Sequence, residues 1–398
     1  MPVLRPFVGT RFSAEAGDLN VLLFPGDGGP REVFAERSPN NIAHAAIPEG
    51  RSDDRSRYIR YARSNAAIFE WQRGSLIQAC DGASTFQLLL NNAWLALGLI
   101  ELDTPGVESA FEAMKPSERE PALRLLEATR TAFRPTVLLV PERDMEALIR
   151  EADTGATAEF DLDGEVKGEI APILDERVSF SFNKAFIVAG EAEWQAARAF
   201  RDDDEGDTVP ARNLALVALL PSSAAAEVEV AHFVFPALPN EEGILGKLSE
   251  THHVTPMHSS RLPAWLESHP GSFGVAAEGG EGYGILPSQP ATPEPVATDY
   301  GQSRAPMSNA RMIASFREGV LDGLLELRSA GAEIHYAPAA AYRAANSGGG
   351  VAFLLPPLSL NELSDALVAG LRFSRGAFRV SPSIPLGLVF WNQKDYVA

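Results

Sequence analysis

Apolar residues along the chain follow two patterns, short continuous runs and the three-to-four-residue spacing of an amphipathic helix. Runs of four to eight apolar residues are typical of buried strands, whereas apolar positions at i, i+3 and i+4 predict helices. We predict strands at 19–24, 136–140, 158–166, 178–182, 214–220 and 228–235, and helices at 52–72, 116–133, 145–151, 193–200 and 308–330. The segment 86–99 fits either a strand pair or a buried helix, because its periodicity does not separate the two.

Prolines divide this pattern into two regions. Pro236 and Pro239 interrupt it, and we predict a first domain at 1–240 and a second at 241–398. In the second region, 278–282 is a glycine-rich hairpin turn, and Ser359 and Glu362 have the spacing of a capping box that begins a helix. Helices and strands mix without a tandem strand–helix–strand run. The sequence therefore predicts the α+β class, with a mixed sheet in the first domain and a separate α+β unit in the second.

The charge of the chain excludes some classes of partner. Its 53 acidic and 34 basic residues give a net charge of −19, so nucleic acids and anionic membrane surfaces would be repelled. The single cysteine, Cys80, excludes an internal disulfide and a cysteine-rich zinc site. No apolar run approaches the roughly 20 residues that span a membrane, and none follows a basic start. We expect a cytoplasmic protein without nucleic-acid or membrane partners; its oligomeric state leaves no signal in the sequence.

The segment 186–197 carries the most informative local pattern. Four apolar residues precede Gly190, and an amphipathic stretch follows it, so the pattern predicts a buried strand, a tight turn and a helix. A helix start of this kind binds phosphate when it combines backbone N–H groups with positive side chains. Here Glu191 and Glu193 occupy the helix start, and their carboxylates would repel a phosphate.

Several segments together resemble a bacterial and archaeal family known as domain of unknown function 1015, which is related to the ParB/sulfiredoxin-like free serine kinases. The resemblance covers nearly the whole chain. It is carried in order by Val-Leu-Arg-Pro-Phe at 3–7, Phe-Pro-Gly-Asp at 24–27, Arg-Ser-Pro-Asn-Asn-Ile at 37–42, the turn at Gly190, Val-Ala-Phe-Leu-Leu-Pro-Pro at 351–357 and Ile-Pro-Leu-Gly-Leu-Val-Phe at 384–390. The family's turn reads Asp-Gly-His-His-Arg, whereas this chain has Ala189 before Gly190 and Glu191, Ala192 and Glu193 after it.

The resemblance implies phosphoryl transfer to serine, which depends on positioning, charge neutralisation and a base. The family's base, in a His-Glu-x-Thr stretch, aligns through Thr104 with Leu102, and a slip of one residue would bring Glu101 to that position. An Asp-Arg pair of the family is absent here, although Lys115 remains close by. The family's C-terminal Lys-Ser-Thr aligns with residues 376–378, between Arg375 and Arg379, which form with Arg372 a cluster that could bind an anion. The base, the Asp-Arg pair, the turn at Gly190 and the C-terminal Lys-Ser-Thr all differ from the family. We therefore predict that the kinase chemistry is lost.

The remaining polar clusters favour structural roles. Adjacent histidines at 252 and 253 would point to opposite faces of a strand, the acidic run at 202–207 lacks the spacing of a calcium loop, and Ser-Gly-Gly-Gly at 347–350 precedes a strand instead of following one. We therefore expect neither a metal site nor a cofactor. The thiol of Cys80 has no inferable base and favours a place in the core.

Two functional hypotheses follow. In the first, the ancestral nucleotide cleft has become the site of an enzyme that acts on a small molecule in specialised biosynthesis. Asp27, Glu101, Glu191 and Glu193 would then act as acid–base residues, since paired carboxylates can separate in pKa. Gly190, Thr104, Lys115, Arg375 and Arg379 would contribute to ligand binding. In the second, the chain is a non-catalytic protein that binds a ligand or partner. A residual serine kinase is the third alternative.

Overall fold

The computed structural model describes residues 2–26, 29–51, 54–142, 144–175, 178–203, 210–236, 241–288, 307–348 and 350–395. The strands are β1 Thr10–Phe12, β2 Ile77–Ala79, β3 Phe86–Leu90, β4 Ala93–Glu101, β5 Val107–Ser109, β6 Thr131–Ala132, β7 Thr136–Val140, β8 Ala158–Leu162, β9 Val166–Pro172, β10 Ala185–Ala189, β11 Leu214–Pro221, β12 Glu227–Val230, β13 His232–Phe235, β14 His252–His258, β15 Phe273–Ala276, β16 Glu281–Pro287, β17 Glu333–His335, β18 Val351–Leu354, β19 Phe378–Ser381 and β20 Trp391–Asn392.

Helices cover the sheets and connect their strands. The α-helices are α1 Leu19–Leu22, α2 Arg31–Ala35, α3 Ala43–Ala46, α4 Ile59–Arg73, α5 Pro116–Thr129, α6 Met145–Arg150, α7 Glu191–Asp202, α8 Glu241–Ser249, α9 Leu262–Ser268, α10 Asn309–Ser315, α11 Pro338–Gly348 and α12 Leu360–Val368. A π-helix, Phe316–Leu324, continues α10. Among the described residues, no helix is both long and apolar enough to cross a membrane.

The chain forms two compact units. The first comprises Met1–Ala226 and Pro382–Ala398, and the second Glu227–Ser381. The boundary predicted after residue 240 therefore falls inside the second compact unit, and the C-terminal segment belongs to the first.

Within the described residues, the first unit contains an eight-stranded sheet in the order β5-β10-β7-β11-β4-β3-β9-β8. The pairs β5–β10 and β7–β11 are parallel and the others antiparallel, so the sheet is mixed, as predicted. The six-stranded sheet of the second unit, β14-β16-β15-β18-β13-β17, is antiparallel throughout. Helices packed with these sheets confirm the α+β class.

Residues two apart along a strand share one face of the sheet, and helices pack on one such face of the first sheet. Leu138 and Val140 of β7 lie on that face, and Trp194 and Phe200 of α7 pack onto the same core. A separate cluster joins α3 and α4 to the C-terminal segment, through Ile42, Trp71 and Phe390 among others. The C-terminal segment is thus part of the core of the first unit.

Some predicted elements differ from the structure. The predicted strand at 19–24 is the helix α1, whose first turn is capped by the Asp18 carboxylate accepting from the Asn20 amide at 3.1 Å. The predicted strand at 178–182 is irregular apart from one bridge at Ser181, and the predicted strand at 158–166 is β8 followed by a turn into β9. The segment 86–99 is a strand pair, because Asn91 adopts the left-handed conformation that its turn requires. The predicted strand at 228–235 divides at Ala231 into β12 and β13, which belong to different sheets.

Candidate active site at the Gly190 turn

The predicted strand–turn–helix at Gly190 is present. The buried strand β10 ends at Ala189, Gly190 has φ 72°, and α7 begins at Glu191. A side chain at residue 190 would be strained at this φ, and its Cβ would lie 2.9 Å from the Cα of Thr136. The Thr136 hydroxyl donates a hydrogen bond to the Gly190 carbonyl oxygen at 3.0 Å. Glycine is therefore required both by the turn and by the close approach of β7.

The first turn of α7 presents two carboxylates in different surroundings. Glu191 is buried, with 5% of its surface exposed, and it interacts with other groups. The Glu193 side chain is about one-third exposed, and its Oε1 lies 3.8 Å from Nε of Arg134. Arg134 also donates to the Gly26 carbonyl oxygen at 2.6 Å. Asp27, the neighbour of Gly26 that the sequence proposed as an acid–base residue, lies outside the described residues.

A pocket lies beside this turn. The helices α5 and α7 each contribute one face to it, because residues at i, i+3 and i+4 share a helix face. These faces are Ala122, Leu125 and Leu126 on α5, and Glu193, Ala196 and Ala197 on α7. Three of the six side chains are alanines, so the helices leave room between them.

The remaining walls come from the sheet edge and from the C-terminal segment. The N-terminal residues of β11 line the pocket together with Arg134 and Thr136, and Leu386, Trp391 and Gln393 complete it. Trp391 is 1% exposed, and its indole N–H has no hydrogen-bond partner in the part of the chain that the structure describes. The pocket is thus largely apolar, with Glu193 and Arg134 as its charged groups.

Other predicted site residues lie elsewhere at this edge of the sheet. Glu101 ends β4, which is three strand positions from β10, or about 14 Å at the usual spacing between strands. Its carboxylate forms an ion pair with Arg5, and the Thr104 amide donates to the Glu101 carbonyl oxygen at 3.2 Å. The Lys115 amide donates to the Glu118 carboxylate at 3.2 Å, which caps α5. Glu101, Thr104 and Lys115 are absent from the lining of the pocket.

The predicted arginine cluster belongs to the second unit. Arg379 forms an ion pair with Glu229, and its guanidinium lies over the ring of Tyr336, 4.6 Å from the centroid. Arg375 also interacts with other groups of the protein. At least one arginine of this cluster therefore has its charge balanced within the fold.

Sequence reasoning did not identify Arg134, Thr136 or Trp391 as pocket residues. Arg134 and Thr136 lie at the start of the predicted strand 136–140. Their position was a usable signal, because polar residues at a strand end lie at the same edge of the sheet as the turns beside it. Trp391 reaches the pocket through the pairing of β20 with β6, between residues distant in sequence. Among the described residues, no three metal-ligating side chains of the His, Cys, Asp and Glu types cluster together.

Comparison with known proteins gives structural similarity only. No protein-family profile and no curated protein matches the sequence. A mutant free serine kinase in complex with AMP is 13% identical and has a TM-score of 0.39, with 73% of this chain and 92% of that one covered. A conserved hypothetical protein from Pyrococcus furiosus is also 13% identical, with a TM-score of 0.39 and coverages of 76% and 97%. SbnI from Staphylococcus aureus is 12% identical, with a TM-score of 0.38 and coverages of 73% and 85%.

Proposed function

We propose that this chain binds a small amphipathic molecule in the pocket beside Gly190. The observation that carries the proposal is the composition of the pocket, whose alanine- and leucine-rich walls enclose one Glu193–Arg134 pair. Ligand sites are usually concave and mostly apolar, with a few polar groups that fix the orientation of the ligand. The indole N–H of Trp391 adds a donor without a partner among the described residues.

The charged pair favours a ligand that carries both an ammonium and a carboxylate group. Glu193 would accept hydrogen bonds from the ammonium, and Arg134 would donate to the carboxylate through its planar guanidinium. The apolar body of the ligand would then lie against Ala122, Ala196 and Ala197. An amino acid with an apolar side chain has this arrangement of groups.

Nucleotide phosphotransfer has been lost in this proposal. Glu191 and Glu193 occupy the first turn of α7, where a phosphate would need positive charge and open N–H groups. The proposed relationship to family 1015 and to the free serine kinases would then concern ancestry and fold, while the ligand has changed.

Catalysis on the bound ligand is the second candidate. Glu193 lines the pocket and remains about one-third exposed, so its carboxylate can reach both the ligand and water. A positioned carboxylate of this kind can act as a general acid or base. Glu191, Glu101 and Asp27, the other carboxylates proposed from the sequence, would serve structure or binding in this version.

Calorimetry with the twenty amino acids and with ATP tests the binding proposal, and an assay for chemical conversion of the amino acid that binds tests catalysis. We expect heat from an apolar amino acid and none from ATP. Ala122→Trp should abolish this heat because it fills the pocket, while the matched variant Ala128→Trp, on the same helix outside the lining, should retain it. Glu193→Gln should weaken binding by about tenfold, the loss of one charged hydrogen bond.

Three outcomes would count against these proposals. Equal binding by Ala122→Trp and the unsubstituted chain would place the ligand elsewhere. Micromolar ATP affinity that disappears in Glu191→Ala would contradict the loss of nucleotide binding and favour the residual serine kinase. If Glu193→Gln binds the ligand normally and any detected turnover also persists, Glu193 has no role in the chemistry.

A further inference from the structure

A second pocket of the first unit has arginines in its walls. It lies beside α4, and its charged lining comprises Arg31, Arg51, Arg60, Arg63, Glu49 and Glu70. Three of these arginines belong to the segment 51–63, where five of the thirteen residues are arginine. The sequence analysis selected the three arginines near the C-terminus and not this segment.

The charges of this pocket are only partly balanced. Arg31 pairs with Glu49 at 2.8 Å, and Arg63 pairs with Asp54. Arg51 and Arg60 then share the pocket with one further carboxylate, that of Glu70. The net charge of −19 repels an incoming anion at long range, so a pocket with an excess of arginines is an exception in this chain.

The Arg60 guanidinium also has an unsatisfied donor. Its Nε is buried and has no hydrogen-bond partner among the described residues, while the guanidinium carbon lies 5.0 Å from the centroid of the Tyr61 ring. Because Nε is closed off from solvent, a ligand in the pocket would contact the terminal N–H groups of Arg60. The contact with the Tyr61 ring thus positions Arg60 in the wall of the pocket.

We propose that this pocket binds a small organic oxyanion with two or more negative charges. Guanidinium groups donate paired hydrogen bonds to phosphate and carboxylate oxygens, and a ligand with several oxyanion groups can contact more than one of the four arginines in the lining. Trp71, Pro39 and Pro48 line the same pocket and provide apolar surface for the organic part of the ligand. A phosphate-containing ligand and a polycarboxylate would both bind to guanidinium groups in this way, and the experiment below separates the two.

The oxyanion pocket is distinct from the pocket beside Gly190. The short helix α3 contributes His44 to the oxyanion pocket and Ala46 to the other, and the two linings have no residue in common. The first turn of α7, with its two carboxylates, belongs only to the pocket beside Gly190. The oxyanion proposal therefore does not depend on the proposed function.

Titration calorimetry of the full chain with pyrophosphate and with citrate tests this proposal. We expect pyrophosphate or citrate to bind with a Kd below about 1 mM at low salt, and the tighter of the two identifies the source. Arg51→Ala and Arg60→Gln should each weaken that binding by about tenfold, as expected for a lost charged hydrogen bond. Arg51 is exposed and lies outside any helix, so its replacement leaves the fold intact.

Arg73→Ala is the matched control, because Arg73 is an exposed arginine on α4 that does not line the pocket. It changes the net charge by the same amount as Arg51→Ala and should leave the affinity unchanged. Absence of binding by both anions would overturn the proposal. An equal loss of affinity in Arg73→Ala and Arg51→Ala would also overturn it, because that result would show attraction by overall charge alone.

Discussion

At the scale of the residue, His232 shows how burial sets a charge state. It is 4% exposed on β13, and its Nδ1 accepts a hydrogen bond from the Leu355 amide at 3.2 Å. Burial lowers the pKa of His232 to about 4, and the nearby His335 contributes in the same direction. A protonated His232 would lose this acceptor role, so the neutral form belongs to the folded state.

The low pKa of His232 predicts acid sensitivity of the second unit. As pH falls from 6.5 to 4, the unfolded chain binds a proton that the folded chain does not, so the free energy of unfolding decreases in this window and the effect ends below pH 4. The expected loss from this group is about 3 kcal/mol. Urea titrations at several pH values should show the slope.

His232→Asn keeps an acceptor near the Leu355 amide and should remove this part of the slope. His253→Asn, at an exposed position of β14, is the control and should keep it. A pH slope in His232→Asn equal to that of the unsubstituted chain would assign the effect to other groups.

At the scale of the element, the turn at Gly190 depends on the left-handed φ of the glycine and on its close approach to Thr136. We expect Gly190→Ala to lower the free energy of unfolding by about 2 to 4 kcal/mol, from the left-handed φ and the contact with Thr136. Gly164→Ala is the matched comparison, because Gly164 has φ +76° and open space around it. That change should cost only about 1 kcal/mol. Chemical denaturation measures the free energy of unfolding of both variants. Equal losses would show that the backbone near Thr136 moves enough to accommodate the added Cβ at no cost.

Elements whose signals are local could be predicted from the sequence. The turn at Gly190 and the capping box at Ser359 are examples; in the latter the Ser359 amide donates to the Glu362 carboxylate at 2.9 Å. The capping of α1 by Asp18 is local too, but the apolar run that follows it also fits a strand. Periodicity could not show that 228–235 divides, because Ala231 is bonded to a distant residue, with its amide donating to the Ala377 carbonyl oxygen at 2.9 Å.

The candidate site could be predicted only in part, for the same reason. Glu191, Glu193 and Gly190 are consecutive, so one motif placed them together. Arg134 reaches Glu193 through the pairing of β7 with β10, and no local pattern records that register. Glu101 lies at the same sheet edge, but the strand order separates it from the turn.

At the scale of the whole molecule, the second unit is an insertion into the first. The chain enters it at β12 and leaves it from β19, and these two strands pair with Glu227 opposite Ser381. Paired residues of antiparallel strands lie about 5 Å apart, so the entry and exit points are neighbours. The segment that follows returns to the first unit, where Leu386 pairs with Phe24 and Trp391 with Ala132.

This topology predicts opposite results for two deletions. A chain ending at Ser381 lacks the buried Leu386, Phe390 and Trp391, so we expect the first unit to lose its cooperative melting. A chain in which Glu227–Ser381 is replaced by a short glycine–serine linker should keep it. Thermal melts followed by circular dichroism compare the two. Cooperative melting of the first unit in the truncated chain would contradict this account.

The position of Trp391 also orders events during synthesis. Ribosomes make proteins from the N-terminus, and compact units fold as their residues emerge. The second unit is complete once Ser381 has been translated, whereas the first also needs the segment Pro382–Ala398 that follows. The lining of the pocket beside Gly190 is therefore complete only after Gln393 has been translated, and a chain that ends before Leu386 lacks one of its walls.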